Sequence, residues 1–169
     1  MGFEAADQRL LDMMQKGYEL ADLPAMLRNL RHGGISVEVL WFIGFPTQTR
    51  ADALATARWL VDHRGEYGMT AFVGDYLLHP DTEVFWRAAD FGVTLHGHVD
   101  DHLDYEVAAG MQPHEAALLK RLLACNNNRT LTCNGSHLPQ LAVRGIDLGG
   151  VARPMAVSPA VAAFCAPAG

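Results

Sequence analysis

The chain begins with a short helical pattern. Asp7 can cap this helix, because its side-chain oxygen can accept a hydrogen bond from an unpaired backbone N–H of the first turn. Leu10, Leu11 and Met14 then fall on one helical face, and Gly17 ends the pattern. The sequence therefore predicts an amphipathic helix between Asp7 and Gly17.

A second helix is predicted from the spacing of three leucines. Leu23, Leu27 and Leu30 recur at the i, i+4 and i+7 positions of one helical face. Asp22 can cap the helix, and the glycine pair at residues 33–34 ends it. These features predict that two consecutive helices precede the first long apolar run.

Two apolar runs predict buried strands, namely ISVEVLWFIGF from residue 35 and MTAFVGDYLL from residue 69. Their nearly continuous apolar, β-branched and aromatic composition is typical of strands that are covered on both faces. Between them, residues 50–64 place Leu54, Ala57 and Val61 on one helical face. A strand, a helix and a second strand form a crossover unit with parallel strands, so the pattern predicts an α/β fold.

The second half of the chain has weaker periodicity. A short helix is predicted over residues 82–89 and a longer one from Pro113 to Cys125, with the ambiguous stretch GVTLHGHVDDHLDY between them. The last twenty residues are rich in alanine and proline and have no clean period. We therefore expect a mostly helical extension over residues 91–148 and a disordered tail over residues 149–169.

Composition and charge limit the classes of partner. The net charge of −6 argues against nucleic acid, because duplex binding needs a basic patch or stripe. The amino terminus lacks a basic region followed by an apolar one, and no apolar run approaches the ~18 residues of a membrane span. Three cysteines without a C-x-x-C pair indicate reduced thiols. We predict a cytoplasmic protein with neither nucleic acid nor a membrane as partner.

Three short segments occur in an order that is known from one enzyme superfamily. The first, GFEAADQRLLDMMQKG at the start of the chain, places a glycine and a glutamate before a helix that ends in Lys-Gly. The second, GFPTQT at residues 44–49, ends the first long apolar run. The third, HPDT at residues 79–82, follows the second apolar run. Together they resemble radical S-adenosylmethionine (radical SAM) enzymes, and most closely the cobalamin-binding-type and peptide-maturing branch. The corresponding family segments read Gly-aliphatic-Glu-Ser-Gly, Gly-Phe/Leu-Pro-Gly-Glu-Thr and Pro-Gly-Thr.

The resemblance implies a fold and a set of cofactor-binding residues. Residues 1–90 would form the carboxyl-terminal half of a partial (β/α)6 TIM-like barrel, with strands four to six. Glu4 matches the glutamate that ends the fourth strand and helps to hold the ribose or the methionine portion of S-adenosylmethionine. Gly44, Phe45 and Pro46 match the turn after the fifth strand, where the backbone passes close to the adenine of the cofactor.

The chain departs from the family pattern at several positions. Ala5-Ala6 stand where the family has Ser-Gly, and Thr47-Gln48 stand where it has Gly-Glu. The family motif C-x-x-x-C-x-x-C, whose thiolates hold a 4Fe-4S cluster, is absent: Cys125 and Cys133 are eight residues apart, and Cys165 lies in the tail. A complete family enzyme cleaves S-adenosylmethionine to a 5′-deoxyadenosyl radical. We expect this chain by itself to bind no cluster and to show no turnover.

Two further functions stay open. A half-barrel has open strand edges and an apolar face, so the chain could be a non-catalytic module that pairs with the missing amino-terminal half of the barrel or with a second copy of itself.

The stretch HGHVDDH could form a metal site, and the alternative is a solvated polar loop. If it is extended, His96, His98, Asp100 and His102 share one face, and such ligands suit zinc, manganese or iron. The third hypothesis is therefore a small metal-dependent hydrolase with His96, His98 and His102 as metal ligands.

Overall fold

The structure is a computed structural model that describes residues 1–99, 102–123 and 130–132. Six strands and six helices are found among these residues, together with a 3₁₀ turn at Leu20–Asp22. The strands are β1 Gly2–Glu4, β2 Val37–Ile43, β3 Gly68–Asp75, β4 Val93–Val99, β5 His102–Val107 and β6 Thr130–Thr132. The helices are α1 Gln8–Met13, α2 Leu23–His32, α3 Arg50–Asp62, α4 Arg64–Tyr67, α5 Glu83–Trp86 and α6 Pro113–Leu123.

The main sheet is parallel over its first three strands. β1, β2 and β3 lie side by side in chain order, and β6 adds to the far side of β3 in the antiparallel direction. In the register of the central pair, Trp41 lies opposite Val73 and Ile43 lies opposite Asp75. The predicted α/β fold with parallel strands is therefore confirmed, and the described residues form no closed barrel.

One face of this sheet is covered by helices. Along β2, burial alternates strictly up to Trp41, and the buried positions of this strand belong to the larger of two apolar cores. Its buried members are Phe3, Leu23, Leu27, Val37, Val39, Trp41, Ile43, Ala53, Ala57, Leu60, Tyr67, Val73, Met111, Ala116, Leu119 and Leu123. The predicted apolar faces of α2 and α6 therefore pack on the same side of the sheet, where each fully buried leucine contributes roughly 1.5–3 kcal/mol.

Helix α3 begins with a reciprocal cap that fixes the turn after β2. The backbone N–H of Asp52 donates to Thr49 Oγ1 at 3.2 Å, and the N–H of Thr49 donates to Asp52 Oδ2 at 2.8 Å. Such a capping box satisfies two of the four N–H groups that a helix start leaves without a partner. The helix therefore starts at a defined residue, which also defines the length of the loop over residues 44–49.

A second apolar core lies beyond the carboxyl ends of β2 and β3, beneath the antiparallel pair formed by β4 and β5. In β5, buried Leu103, Tyr105 and Val107 alternate with exposed Asp104 and Glu106. This period of two is the signature of a strand with one covered face.

The expectation for the second half of the chain needs a correction. We predicted a mostly helical extension over residues 91–148, but its described part begins with the β4–β5 hairpin, and helix α6 follows. The period of two along β5 is the physical reason, since it favours pairing over a helix. The predicted tail at residues 149–169 lies outside the described residues.

Within the described part of the chain, no helix has the length and apolar character needed to cross a membrane.

Candidate functional site at the carboxyl edge of the sheet

The three segments with family resemblance follow three neighbouring strands. Glu4 ends β1, residues 44–49 follow β2, and residues 79–82 follow β3 after a short connection. Because carboxyl ends of adjacent parallel strands meet at one edge of a sheet, these segments share that edge, where open α/β sheets bind ligands. Non-glycine residues with positive φ occur in each segment: Glu4 at 67°, Thr47 at 74° and Asp81 at 67°. Such backbone strain concentrates at functional sites.

Glu4 is held by a lysine of its own chain. The Nζ atom of Lys16 lies 2.8 Å from Glu4 Oε1, and the Glu4 side chain is 14% exposed. The carboxylate turns back along β1, where a Cβ atom on Gly2 would lie only 2.5 Å from Oε1. Next to it, the Tyr18 hydroxyl donates to the carbonyl of Phe3 at 2.7 Å, and burial together with the charge of Glu4 raises the pKa of Tyr18 to about 12. Glu4 is thus a positioned carboxylate that retains a small exposed surface.

The loop after β2 is packed by helix α6. At Gly44, where φ is 104°, a Cβ atom would lie 2.9 Å from the Cβ of Ala116. Phe45 and Pro46 are buried, and the ring of Phe45 makes an edge contact with that of Phe91 at 5.9 Å between centroids. The close approach that a glycine permits is therefore used by Ala116. The burial of Phe45 and Pro46 is explained by packing, and the role of Gly44, Phe45 and Pro46 beside adenine stays a prediction.

Gln48 is a structural residue of this loop that the sequence did not single out. It is fully buried, its Oε1 atom accepts from the N–H of Gly44 at 2.7 Å, and its carbonyl accepts from the N–H of Met111 at 2.9 Å. The backbone of Gly110 passes so close that an added Cβ would lie 2.7 Å from the Gln48 carbonyl oxygen. Gln48 therefore holds the loop in shape and ties it to the chain before α6.

A cleft of about 160 Å³ lies between the carboxyl ends of β2 and β3, the start of β5 and the first turns of α6. Asp75, at the end of β3, forms an ion pair with Lys120 through Oδ2. Burial raises the pKa of Tyr76 to about 12, and it raises the pKa of Tyr105 further. The Tyr105 hydroxyl donates to the Gly44 carbonyl at 3.3 Å. The cleft thus combines a paired carboxylate with two protonated tyrosines.

The histidines of HGHVDDH do not share one face, and that expectation is wrong. The segment is a hairpin: His102 begins β5 opposite Val99, and a bulge between Leu95 and Gly97 shifts the register so that His98 lies opposite Leu103. His96 instead lies 3.5 Å from Glu106. Asp100 lies outside the described residues. Among the residues that the structure describes, no group of three or more histidine, cysteine, aspartate or glutamate side chains is arranged to hold a metal ion.

All three cysteines lie outside the described residues. Comparisons with known protein families, with curated proteins and with solved structures found no match to this chain.

Proposed function

We propose that this chain is the carboxyl-terminal half of a radical SAM-type barrel, and that it functions by pairing with a polypeptide that supplies the amino-terminal half. The observation that carries the proposal is the placement of three family-like segments at the ends of three adjacent parallel strands in chain order. A (β/α) barrel repeats this arrangement around its axis, with the functional residues at the carboxyl ends of the strands.

The free edge of β1 supports pairing with another strand. The N–H of Leu40 donates to the carbonyl of Met1 at 2.7 Å, and Gly2 lies opposite Leu40 in the register. In a parallel pair, alternate residues direct their backbone groups to opposite neighbours, so the N–H and C=O of Gly2 point away from β2. Within the described ranges no strand pairs with that side. Unpaired backbone groups on an edge are a ready template for an added strand.

The face of the sheet opposite the helices supports the same partner. Leu40 points to this face and is 45% exposed, whereas its neighbours Val39 and Trp41 are buried on the helical side. In a complete barrel this face is the interior, which is filled by apolar side chains. A polypeptide that supplies the amino-terminal half would therefore both extend the β1 edge and bury Leu40.

The proposal also divides the cofactor-binding residues between the two halves. In the assembled barrel, a 4Fe-4S cluster would be held by cysteine thiolates of the partner, which is the chemistry that such clusters need. From this chain, Glu4 is the family-matched residue with exposed surface, and its carboxylate suits hydroxyl or ammonium donors of S-adenosylmethionine. Because this chain lacks the cysteine motif, we expect it to be inactive when isolated.

The test mixes this chain with a separately expressed amino-terminal half of a radical SAM enzyme of this branch, containing strands one to three and the cysteine motif. We expect a 1:1 complex in anaerobic size-exclusion chromatography with light scattering. Leu40→Lys should weaken the complex at least about tenfold, because a buried ammonium without a partner is strongly disfavoured. Ile35→Lys is the matched control, since Ile35 is also exposed, at 54%, but precedes β2.

Three results would refute the proposal. The first is that the two halves elute separately, and the second is that Leu40→Lys and Ile35→Lys behave alike. The third is a stable dimer of this chain alone, which would make a second copy the occupant of the free edge. A separate measurement tests the isolated chain: after anaerobic reconstitution with iron and sulfide, a stoichiometric cluster would contradict the division of the site.

A further inference from the structure

The outer edge of β3 is covered by a short antiparallel strand. β6 runs antiparallel to β3, and its central residue, Leu131, lies opposite Ala71. The N–H of Tyr76 donates to the carbonyl of Ile43 at 2.9 Å, so the backbone groups of Tyr76 point to β2. Because these groups alternate in direction along a strand, those of Ala71 point to the other side, toward β6. Ala71 and Leu131 therefore form a hydrogen-bonded pair of the antiparallel ladder.

Without β6, the two edges of the parallel sheet would be complementary. β1 and β3 run in the same direction, and they turn buried Phe3 and Val73 to the same helix-covered core. β1 of one copy could therefore continue the sheet beyond β3 of another copy, with both helical layers on one side. Such a head-to-tail contact is heterologous, so it repeats into a ring or a filament.

Two features of the open sheet would favour this contact. Leu40 is 45% exposed on the face opposite the helices, and among the described residues no strand pairs with the outward backbone groups of Gly2. A parallel neighbour would pair with Gly2, and a closed ring of strands would bury Leu40, because apolar side chains fill the interior of parallel barrels. Self-association is therefore the hazard of a parallel sheet with two open edges.

We propose that β6 guards the β3 edge against the β1 edge of a second copy and leaves β1 as the single edge for pairing. Short edge strands protect against edge-to-edge pairing, since they offer few backbone groups to a new neighbour. β6 is three residues long, and the alternation that directs Leu131 to β3 leaves only Thr130 and Thr132 directed outward. The guard does not depend on the proposed radical SAM-type partner, because both edges belong to this chain.

Leu131→Pro tests the guard, because proline removes the N–H that Leu131 donates to β3. Leu131→Ala is the matched control, since it removes the same side chain but keeps the N–H. In size-exclusion chromatography with light scattering, the native chain and Leu131→Ala should have the mass of one chain, 18.4 kDa. Folded Leu131→Pro should reach at least twice that mass. A native chain that associates, a folded Leu131→Pro that stays monomeric, or equal association of the two variants would overturn the proposal.

A second substitution identifies the surface through which Leu131→Pro associates. Leu40→Lys in the Leu131→Pro background should restore the mass of one chain, because the assembly would bury an ammonium group without a partner. Ile35→Lys in the same background should leave the assembly intact, since Ile35 is 54% exposed and precedes β2. An assembly that survives Leu40→Lys would place the contact elsewhere and refute the assignment.

Hydrogen exchange tests the guard in the native chain, and it decides the case if Leu131→Pro does not fold. In amide-resolved NMR exchange, the N–H of Ala71 should have a protection factor at least about tenfold higher than that of Gly2, because only the Ala71 amide has a paired strand beside it. Equal protection of the two amides would show that the β3 edge is as open as the β1 edge, and would overturn the proposal.

Discussion

Gly44→Ala tests whether the glycine after β2 serves the packing of α6. The substitution adds a single methyl group and leaves charge and polarity unchanged. The new Cβ would lie 2.9 Å from the Cβ of Ala116, whereas carbon atoms in good contact are about 3.5–4.0 Å apart. Ala116 has no rotatable side chain and is fixed on the first half of a helix, so relief requires a shift of α6 or of the loop.

The expected magnitude has two parts. At a φ of 104°, Gly44 occupies a backbone region where a side chain costs about 1–3 kcal/mol. Overpacking a buried contact by one methyl group costs about 1–3 kcal/mol more. We therefore expect Gly44→Ala to lower the free energy of unfolding by about 2–6 kcal/mol, a large part of the ~5–15 kcal/mol that folded domains typically have.

The assay is equilibrium urea unfolding followed by tryptophan fluorescence, because buried Trp41 lies in the same core as Ala116. Gly65→Ala is the matched control: no atom of the described residues lies within 4 Å of its added Cβ, and its φ is outside the left-handed region. That variant should be neutral or slightly stabilising. If Gly44→Ala stays within about 0.5 kcal/mol of the native chain, the explanation of Gly44 by helix packing is wrong.

Three further predictions concern the fold and the cleft. Thr49→Ala removes the capping box of α3 and should lower stability by about 1 kcal/mol in urea unfolding, whereas the exposed Thr94→Ala should not. Leu119→Ala opens a cavity in the larger core and should lower stability by about 2–5 kcal/mol, with a reduced midpoint and an unchanged slope. Tyr76 should ionise near pH 12 when absorbance is followed at 295 nm, and near its ordinary pKa of 10 in guanidinium chloride. Because folding raises this pKa, Tyr76 contributes stability below pH 10 that is lost as pH rises to 12, and Tyr76→Phe should reduce that loss.

The elements near the amino terminus were predictable because their burial follows local periods. Leu23 and Leu27 recur at helical spacing, and both are buried against β2. The β4–β5 hairpin was not predicted, although Leu103 and Tyr105 alternate with polar residues as in an ordinary strand. The bulge at Gly97 breaks the same period in the preceding strand, and a bulge is set by pairing across strands rather than by local sequence.

The candidate site was predictable in its position but not in its contacts. The order of the segments places Glu4 and the loop after β2 at one edge of the sheet, as a parallel arrangement requires. The contact between Gly44 and Ala116 depends on how helix α6 packs against the sheet. Likewise, the pairing of Asp75 with Lys120 joins two elements that are distant in the chain. Such long-range contacts leave no local periodicity in the sequence.

Gln48 shows why the departures from the family pattern belong with these contacts. It occupies the position of a family glutamate, but here the side chain is fully buried and accepts from the N–H of Gly44. A carboxylate could accept the same bond, but burying a charge costs more than burying an amide, even though the Gln48 Nε2 atom is itself buried without a hydrogen-bond partner among the described residues. The glutamine thus fits a loop that is closed against Met111 and α6. What the chain still offers a partner is therefore found at β1, where the backbone groups of Gly2 point away from β2 and the Glu4 side chain, paired with Lys16, is 14% exposed.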